Sequence, residues 1–202
     1  MKKFINKQIE KFKKQSLLNK ILDVVLLVLI ILVIIPSTRK ELMTYTSKIK
    51  MYITSVDEAK EGPQLDGKSS LHFVDEAGNQ YTLGDFEDKP VFINYWATWC
   101  PPCRAEMPTL EKLYNDYKED VHFLFITRES FEKSQGYINE NGYEMPVYRI
   151  TSRPSGSLEY QVLPTSLLIS HNNQVVFKKK GAVNWHSKKI LKIFDNTVNN
   201  SQ

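Results

Sequence analysis

The tightest constraint on this chain is the stretch Trp96-Ala97-Thr98-Trp99-Cys100-Pro101-Pro102-Cys103, which holds both of its cysteines. Ahead of it, Val91-Phe92-Ile93-Asn94-Tyr95-Trp96 is β-branched and aromatic and reads as a buried strand. After it, Met107, Leu110, Leu113, Tyr114 and Tyr117 recur at helical spacing. A strand therefore ends and a helix begins at the C-x-x-C. The first turn of a helix carries unpaired N–H groups and the positive end of the macrodipole. A thiolate placed there is stabilised, and its pKa falls below the free value of about 8.5. Cys100 falls at or beside the N-cap and Cys103 one turn further, so both sulfurs lie on one side and can bridge. Pro101 and Pro102 lack N–H donors, which costs little in a first turn.

Other uses of C-x-x-C fit less well. A zinc site needs about four ligands, and His72, His122, His171 and His186 show no paired spacing, so no metal is expected. Covalent haem needs C-x-x-C-H, and residue 104 is Arg. A purely structural bridge over so short a loop removes little unfolded-state entropy. Thiol–disulfide exchange is the favoured chemistry, with Cys100 attacking as thiolate and Cys103 resolving the mixed disulfide. No cofactor beyond the redox-active Cys100–Cys103 pair is expected.

The run from Phe92 through Trp96-Ala97-Thr98-Trp99-Cys100-Pro101-Pro102-Cys103-Arg104-Ala105-Glu106-Met107-Pro108 resembles the TlpA/ResA-like thioredoxin-fold proteins, a branch of the AhpC/TSA–redoxin superfamily. The likeness extends over roughly residues 65 to 197. It implies an α/β thioredoxin-like fold with an added N-terminal β-hairpin and a central insert, preceded by one transmembrane helix. It also implies an extracytoplasmic, membrane-tethered thiol–disulfide oxidoreductase. The favoured reading is reduction of protein disulfides, for example in cytochrome c maturation, with electrons from a membrane donor. A disulfide oxidase or isomerase is the alternative in the same chemistry. A tethered binding protein without turnover is the alternative outside it. A peroxiredoxin-like peroxidase would want Pro-x-x-x-Thr-x-x-Cys, which the residues before Cys100 do not supply.

The same resemblance assigns supporting residues. Glu106 matches a glutamate thought to tune the cysteines or bind substrate; a solvated carboxylate near a helix N-terminus is the plainer account. Asn94 stands where cytoplasmic thioredoxins have a buried aspartate that accepts a proton. Asn cannot do so, which leaves proton transfer to Glu106 or water. Val162-Leu163-Pro164-Thr165 resembles the cis-proline loop, so Leu163–Pro164 is expected cis, packed on the C-x-x-C and offering Leu163's backbone to an extended client. Trp96 and Trp99 are expected beside the disulfide.

The chain's 202 residues allow one ordinary domain plus appendages. Residues 1–20 carry seven lysines and one glutamate, +6, whereas the whole chain is only +4. The basic character thus belongs to the tail, and nucleic acid is not an expected partner. Val24 to Ile35 is an uninterrupted apolar run, short for a span, which needs about 20 residues. Small residues of the A-x-A type are missing after Ile35, so an uncleaved anchor is favoured over a cleaved signal peptide, with Lys20 snorkelling and Asp23 at the inner interface. The positive-inside rule then gives a single-pass inner-membrane protein with its N-terminus inside and its catalytic domain periplasmic. The expected organisation is a basic cytoplasmic tail (1–20), a transmembrane anchor (21–37), a juxtamembrane helix and linker (38–64) and a thioredoxin-like domain (65–202). Leu42, Thr46, Ile49, Ile53 and Val56 form a stripe in the juxtamembrane helix. It is too short to specify a coiled coil, so a monomer is expected.

Further elements follow from pattern. Leu71–Val74 and Gln80–Leu83 read as a hairpin across a Gly-Asn turn. Val121–Thr127 reads as a buried strand parallel to the first, Ser130–Asn141 as a helix, and Met145–Ile150 as a strand. Leu167–Ser170 and Val175–Lys179 form a second hairpin with an Asn-Asn turn. Ser187–Val198 is a closing amphipathic helix with Ile190, Leu191, Ile193 and Phe194 inward.

Overall fold

The computed structural model describes residues 16–34, 43–49, 51, 64–65 and 70–199. It divides into two compact units, Met1–Leu42 and Met43–Gln202.

Among its described residues the first unit has the helix α1 (Leu17–Ile34). Ser16 opens it by accepting the N–H of Asn19 on its hydroxyl at 3.4 Å. From Leu17 to Ile31 its large apolar side chains are exposed on every side. The uninterrupted apolar part, Val24–Ile34, rises about 16 Å, against about 30 Å of hydrocarbon in a bilayer. Among the described residues no helix is long and apolar enough to cross a membrane. The expected basic tail up to residue 15 lies outside the described residues.

In the second unit residues 43–49 and 51 are helical. The buried positions are Thr44 and Met51, while Ile49 is 67% exposed. The expected stripe through Thr46 and Ile49 is therefore turned outward; its other members, Leu42, Ile53 and Val56, lie outside the described residues. The small Thr44 and the flexible Met51 supply the face that packs instead.

The domain is a seven-stranded mixed sheet in the order β2-β1-β5-β4-β3-β6-β7. Its strands are β1 (His72–Val74), β2 (Gln80–Thr82), β3 (Val91–Tyr95), β4 (His122–Thr127), β5 (Val147–Ile150), β6 (Thr165–Ile169) and β7 (Val175–Lys180). The helices are α2 (Pro101–Tyr117), α3 (Phe131–Glu140) and α4 (Lys188–Asn199). β3 and β4 are parallel and α2 connects them, the crossover that parallel neighbours require. β1 and β2 are the expected hairpin, turning through Gly78 at φ +88°. The insert, α3 and β5, adds β5 parallel to β4 and antiparallel to β1.

All five residues of β3 are buried, and it lies inside the sheet between β4 and β6. Side chains alternate across a strand. Ile93 and Tyr95 join one core cluster with Leu124, Ile126, Leu167 and Leu158. Phe92 and Trp96 join the other, with both cysteines, Met107, Phe125, Trp185 and Phe194. Asn94 has the parity of Phe92 and Trp96. A polar side chain is thereby directed into the apolar layer between the sheet and α2. In α4, Ile190, Ile193, Phe194 and Thr197 are buried and Leu191 partly so.

Candidate active site

The site begins where β3 gives way to α2. Cys100 is the N-cap of α2, and its sulfur accepts the N–H of Cys103 at 3.3 Å. Pro101 and Pro102 occupy the first turn, where their missing N–H groups are orphans anyway. Cys100 and Cys103 are joined in a disulfide with Cα atoms 5.3 Å apart. Cys100 is 3% exposed and Cys103 is fully buried, so Cys100 is the sulfur nearer to solvent. Trp96 packs in the cluster that holds both cysteines. Trp99, adjacent to Cys100 in the chain, is 62% exposed and lies outside that buried cluster.

The chain leading to Cys100 is held by a residue the sequence did not single out. Glu129, two residues past β4, accepts the backbone N–H of Thr98 at 2.6 Å and its hydroxyl at 2.9 Å. β4 is parallel to β3, so the residues after it emerge at the same sheet end as the cysteines.

Leu163–Pro164 is cis, as expected. Leu163 packs partly against both core clusters, and the Pro164 carbonyl accepts the N–H of Gly181 at 2.8 Å. The preceding turn is pinned from the sheet. Lys178 Nζ donates to the carbonyls of Ser157 and Glu159, and the Tyr95 hydroxyl donates to that of Leu158. Tyr160 stacks on Tyr95 with centroids 4.1 Å apart.

Glu106 is no surface carboxylate; it is fully buried, one turn beyond Cys103. Its Oε1 accepts Asn94 Nδ2 at 2.9 Å, and its Oε2 accepts the Val183 N–H at 3.1 Å and Trp185 Nε1 at 2.8 Å. Asn94 Nδ2 also donates to Ser166 Oγ at 2.8 Å, its cross-strand neighbour on β6. Burial pushes the Glu106 pKa up to about 8, although these three donors pull it down. The carboxyl therefore holds its proton at neutral pH. Asn94 Oδ1 is buried with no hydrogen-bond partner, an acceptor left open beside a carboxyl that carries a proton. Sequence reasoning placed Glu106 and Asn94 here but missed Trp185, Val183 and Ser166. Among the described residues no group of acidic, His or Cys side chains is arranged to hold a metal ion.

The family described as Redoxin matches residues 57–193. This chain belongs to the redoxin family. A thiol-disulfide oxidoreductase ResA of Bacillus thuringiensis is 35% identical over 122 residues, 58% of this chain and 70% of that protein. The ResA of Halalkalibacterium halodurans is 32% identical over 117 residues, 54% of this chain and 65% of that one. A thiol:disulfide interchange protein of the thioredoxin family from Chlorobium tepidum shares the fold, with TM-score 0.53 at 22% identity over 70% of this chain and 99% of that one. This redoxin is thus a ResA/TlpA-like thioredoxin-fold protein, and its relatives support an enzyme of the thiol–disulfide oxidoreductase, protein-disulfide reductase type.

Proposed function

We propose that this redoxin reduces disulfides of protein clients outside the cytoplasmic membrane, cytochrome c maturation clients among them, and is itself re-reduced by a membrane dithiol donor. The observation that supports the exchange chemistry is Glu106, a buried acid with a raised pKa one turn from the buried Cys103, and the reducing direction follows the resemblance to the ResA relatives. Residues three apart on a helix are neighbours. When a donor thiolate attacks Cys100 Sγ, the Cys100–Cys103 bond breaks and its electron pair stays on Cys103 Sγ. A thiolate buried there is costly, and Glu106 supplies its proton. A second donor thiolate then releases Cys100. In the forward half, the Cys100 thiolate attacks a client disulfide, and the client's leaving thiolate takes a proton from water. Cys103 returns its proton to the Glu106 carboxylate and attacks Cys100 Sγ, freeing the second client thiolate. In all, two electrons pass from donor to client, the Glu106 proton cycles to Cys103 and back, and the client thiolates take their protons from water.

Tethering rests on α1. A helix apolar on every side is stable only when covered by other apolar material, and a basic tail precedes it. A span would have to draw on residues beyond Ile34. The catalytic domain then acts as a monomer outside the membrane. The test is Cys103→Ser, which leaves Cys100 to attack but removes the resolving thiol. Reduced variant mixed with extracytoplasmic proteins should accumulate mixed disulfides through Cys100, and Cys100→Ser none. Equal labelling of both variants would defeat the proposal.

A further inference from the structure

The segment after β7 is stitched to α2 at three points. The Val183 N–H donates to Glu106 Oε2 at 3.1 Å, the Trp185 N–H to Thr109 Oγ1 at 3.2 Å, and the Trp185 indole Nε1 to Glu106 Oε2 at 2.8 Å. Thr109 Oγ1 in turn donates to the Glu106 carbonyl at 2.9 Å. Trp185 is fully buried, edge-on to Phe92 at 5.1 Å and stacked on Phe177 at 5.9 Å. Packing alone would be met by any large aromatic ring. The indole N–H is the part that packing does not require, and it is aimed at the carboxyl beside the resolving cysteine.

We propose that Trp185 is a positioning residue for the disulfide chemistry: its indole N–H fixes the Glu106 carboxyl and sets how tightly that acid holds the proton it exchanges with Cys103. The inference rests on the proton-carrier reading of Glu106 above. Among the described residues, the groups that hydrogen-bond to this carboxyl are Asn94 from β3, with Ser166 of β6 behind it, and the Val183 N–H and Trp185 indole from the segment after β7; Cys103 stands one turn back on the same helix. No charged side chain among the described residues hydrogen-bonds to the carboxyl. With no salt bridge to hold the anion, donors alone offset burial, and the indole is the shortest of them at 2.8 Å. Removing it favours the protonated acid.

The test replaces Trp185 with 3-benzothienylalanine, which keeps the bicyclic shape and puts sulfur where the N–H was, alongside Trp185→Phe. The full chain is used, and thermal unfolding checks that each variant folds. Glu106 is titrated by its infrared carboxyl band, assigned by its loss in Glu106→Gln. A hydrogen bond to an ionised group shifts a pKa by about one unit or more, so the Glu106 midpoint should rise by about one unit. The rate of disulfide reduction by dithiothreitol is then taken as a ratio, variant over wild type, which cancels the reductant's own titration. That ratio should be flat below pH 7 and climb to about tenfold by pH 10, because the higher midpoint keeps the acid protonated longer. An unmoved Glu106 midpoint in a folded benzothienyl variant would overturn the inference. A midpoint that moves while the rate ratio stays flat would uphold Trp185's hold on the acid and overturn the proton-carrier reading.

Discussion

Glu106→Gln isolates what the buried acid costs the fold. The carboxyl's pKa rises from 4.5 to about 8 in the folded protein. Between those values the folded state binds a proton that the unfolded state has lost, so stability must fall as pH rises through that window. The loss amounts to roughly 5 kcal/mol from pH 4.5 to 8, at about 1.4 kcal/mol per unit, and levels off above. Glutamine keeps the shape and never ionises. Its carbonyl can take the place of Oε2 and accept Val183 and Trp185. Its amide then faces Asn94, whose unpartnered Oδ1 becomes an acceptor once the Asn94 amide rotates. The variant should therefore match wild type within about 1 kcal/mol at pH 5, and exceed it by a few kcal/mol at pH 9. Urea unfolding of the oxidised protein from pH 5 to 9 measures this. A wild-type-minus-variant difference that is flat with pH would refute the account of Glu106 as a desolvated, protonated acid.

Two further substitutions probe the same region. Asn94→Asp places a second carboxyl at the 2.9 Å contact with Glu106; two acids so close share one proton, so the variant should lose several kcal/mol relative to wild type at pH 8 and recover most of it below pH 5, read by urea unfolding. Glu129→Ala strips both acceptors from Thr98 and should lower stability by about 1–3 kcal/mol while raising hydrogen exchange at the Thr98 amide; unchanged exchange there would mean that Glu129 does not hold the loop.

What the sequence disclosed was local. Strand, C-x-x-C and helix are adjacent along the chain, so periodicity and the two prolines identified the junction and Cys100 as its cap. The hairpin around Gly78 and the Leu163–Pro164 loop were likewise carried by short motifs. The environment of Glu106 was not legible, because two of its three donors lie 77 and 79 residues away at Val183 and Trp185. A glutamate near a helix start reads as a solvated N-terminal charge, and only the tertiary fold buries it. The parity of Asn94 with Phe92 and Trp96 was a usable signal: a polar residue in an otherwise apolar strand, facing the helix side, requires a polar partner there. Glu129 had no such signal, being one acid among several after a strand. In the helical residues 43–49 and 51, the spacing marked an apolar stripe but not which face packs: Thr44 and Met51 are buried while Ile49 is exposed.

The reduction potential of the Cys100/Cys103 couple in the full-length protein, by equilibration with dithiothreitol and glutathione, bears most directly on the claim that this redoxin is a reductase. The account predicts about −250 mV or lower, in the range of thioredoxin. A value of about −120 to −180 mV, in the range of DsbA and protein disulfide isomerase, would contradict it and make the protein an oxidant or isomerase.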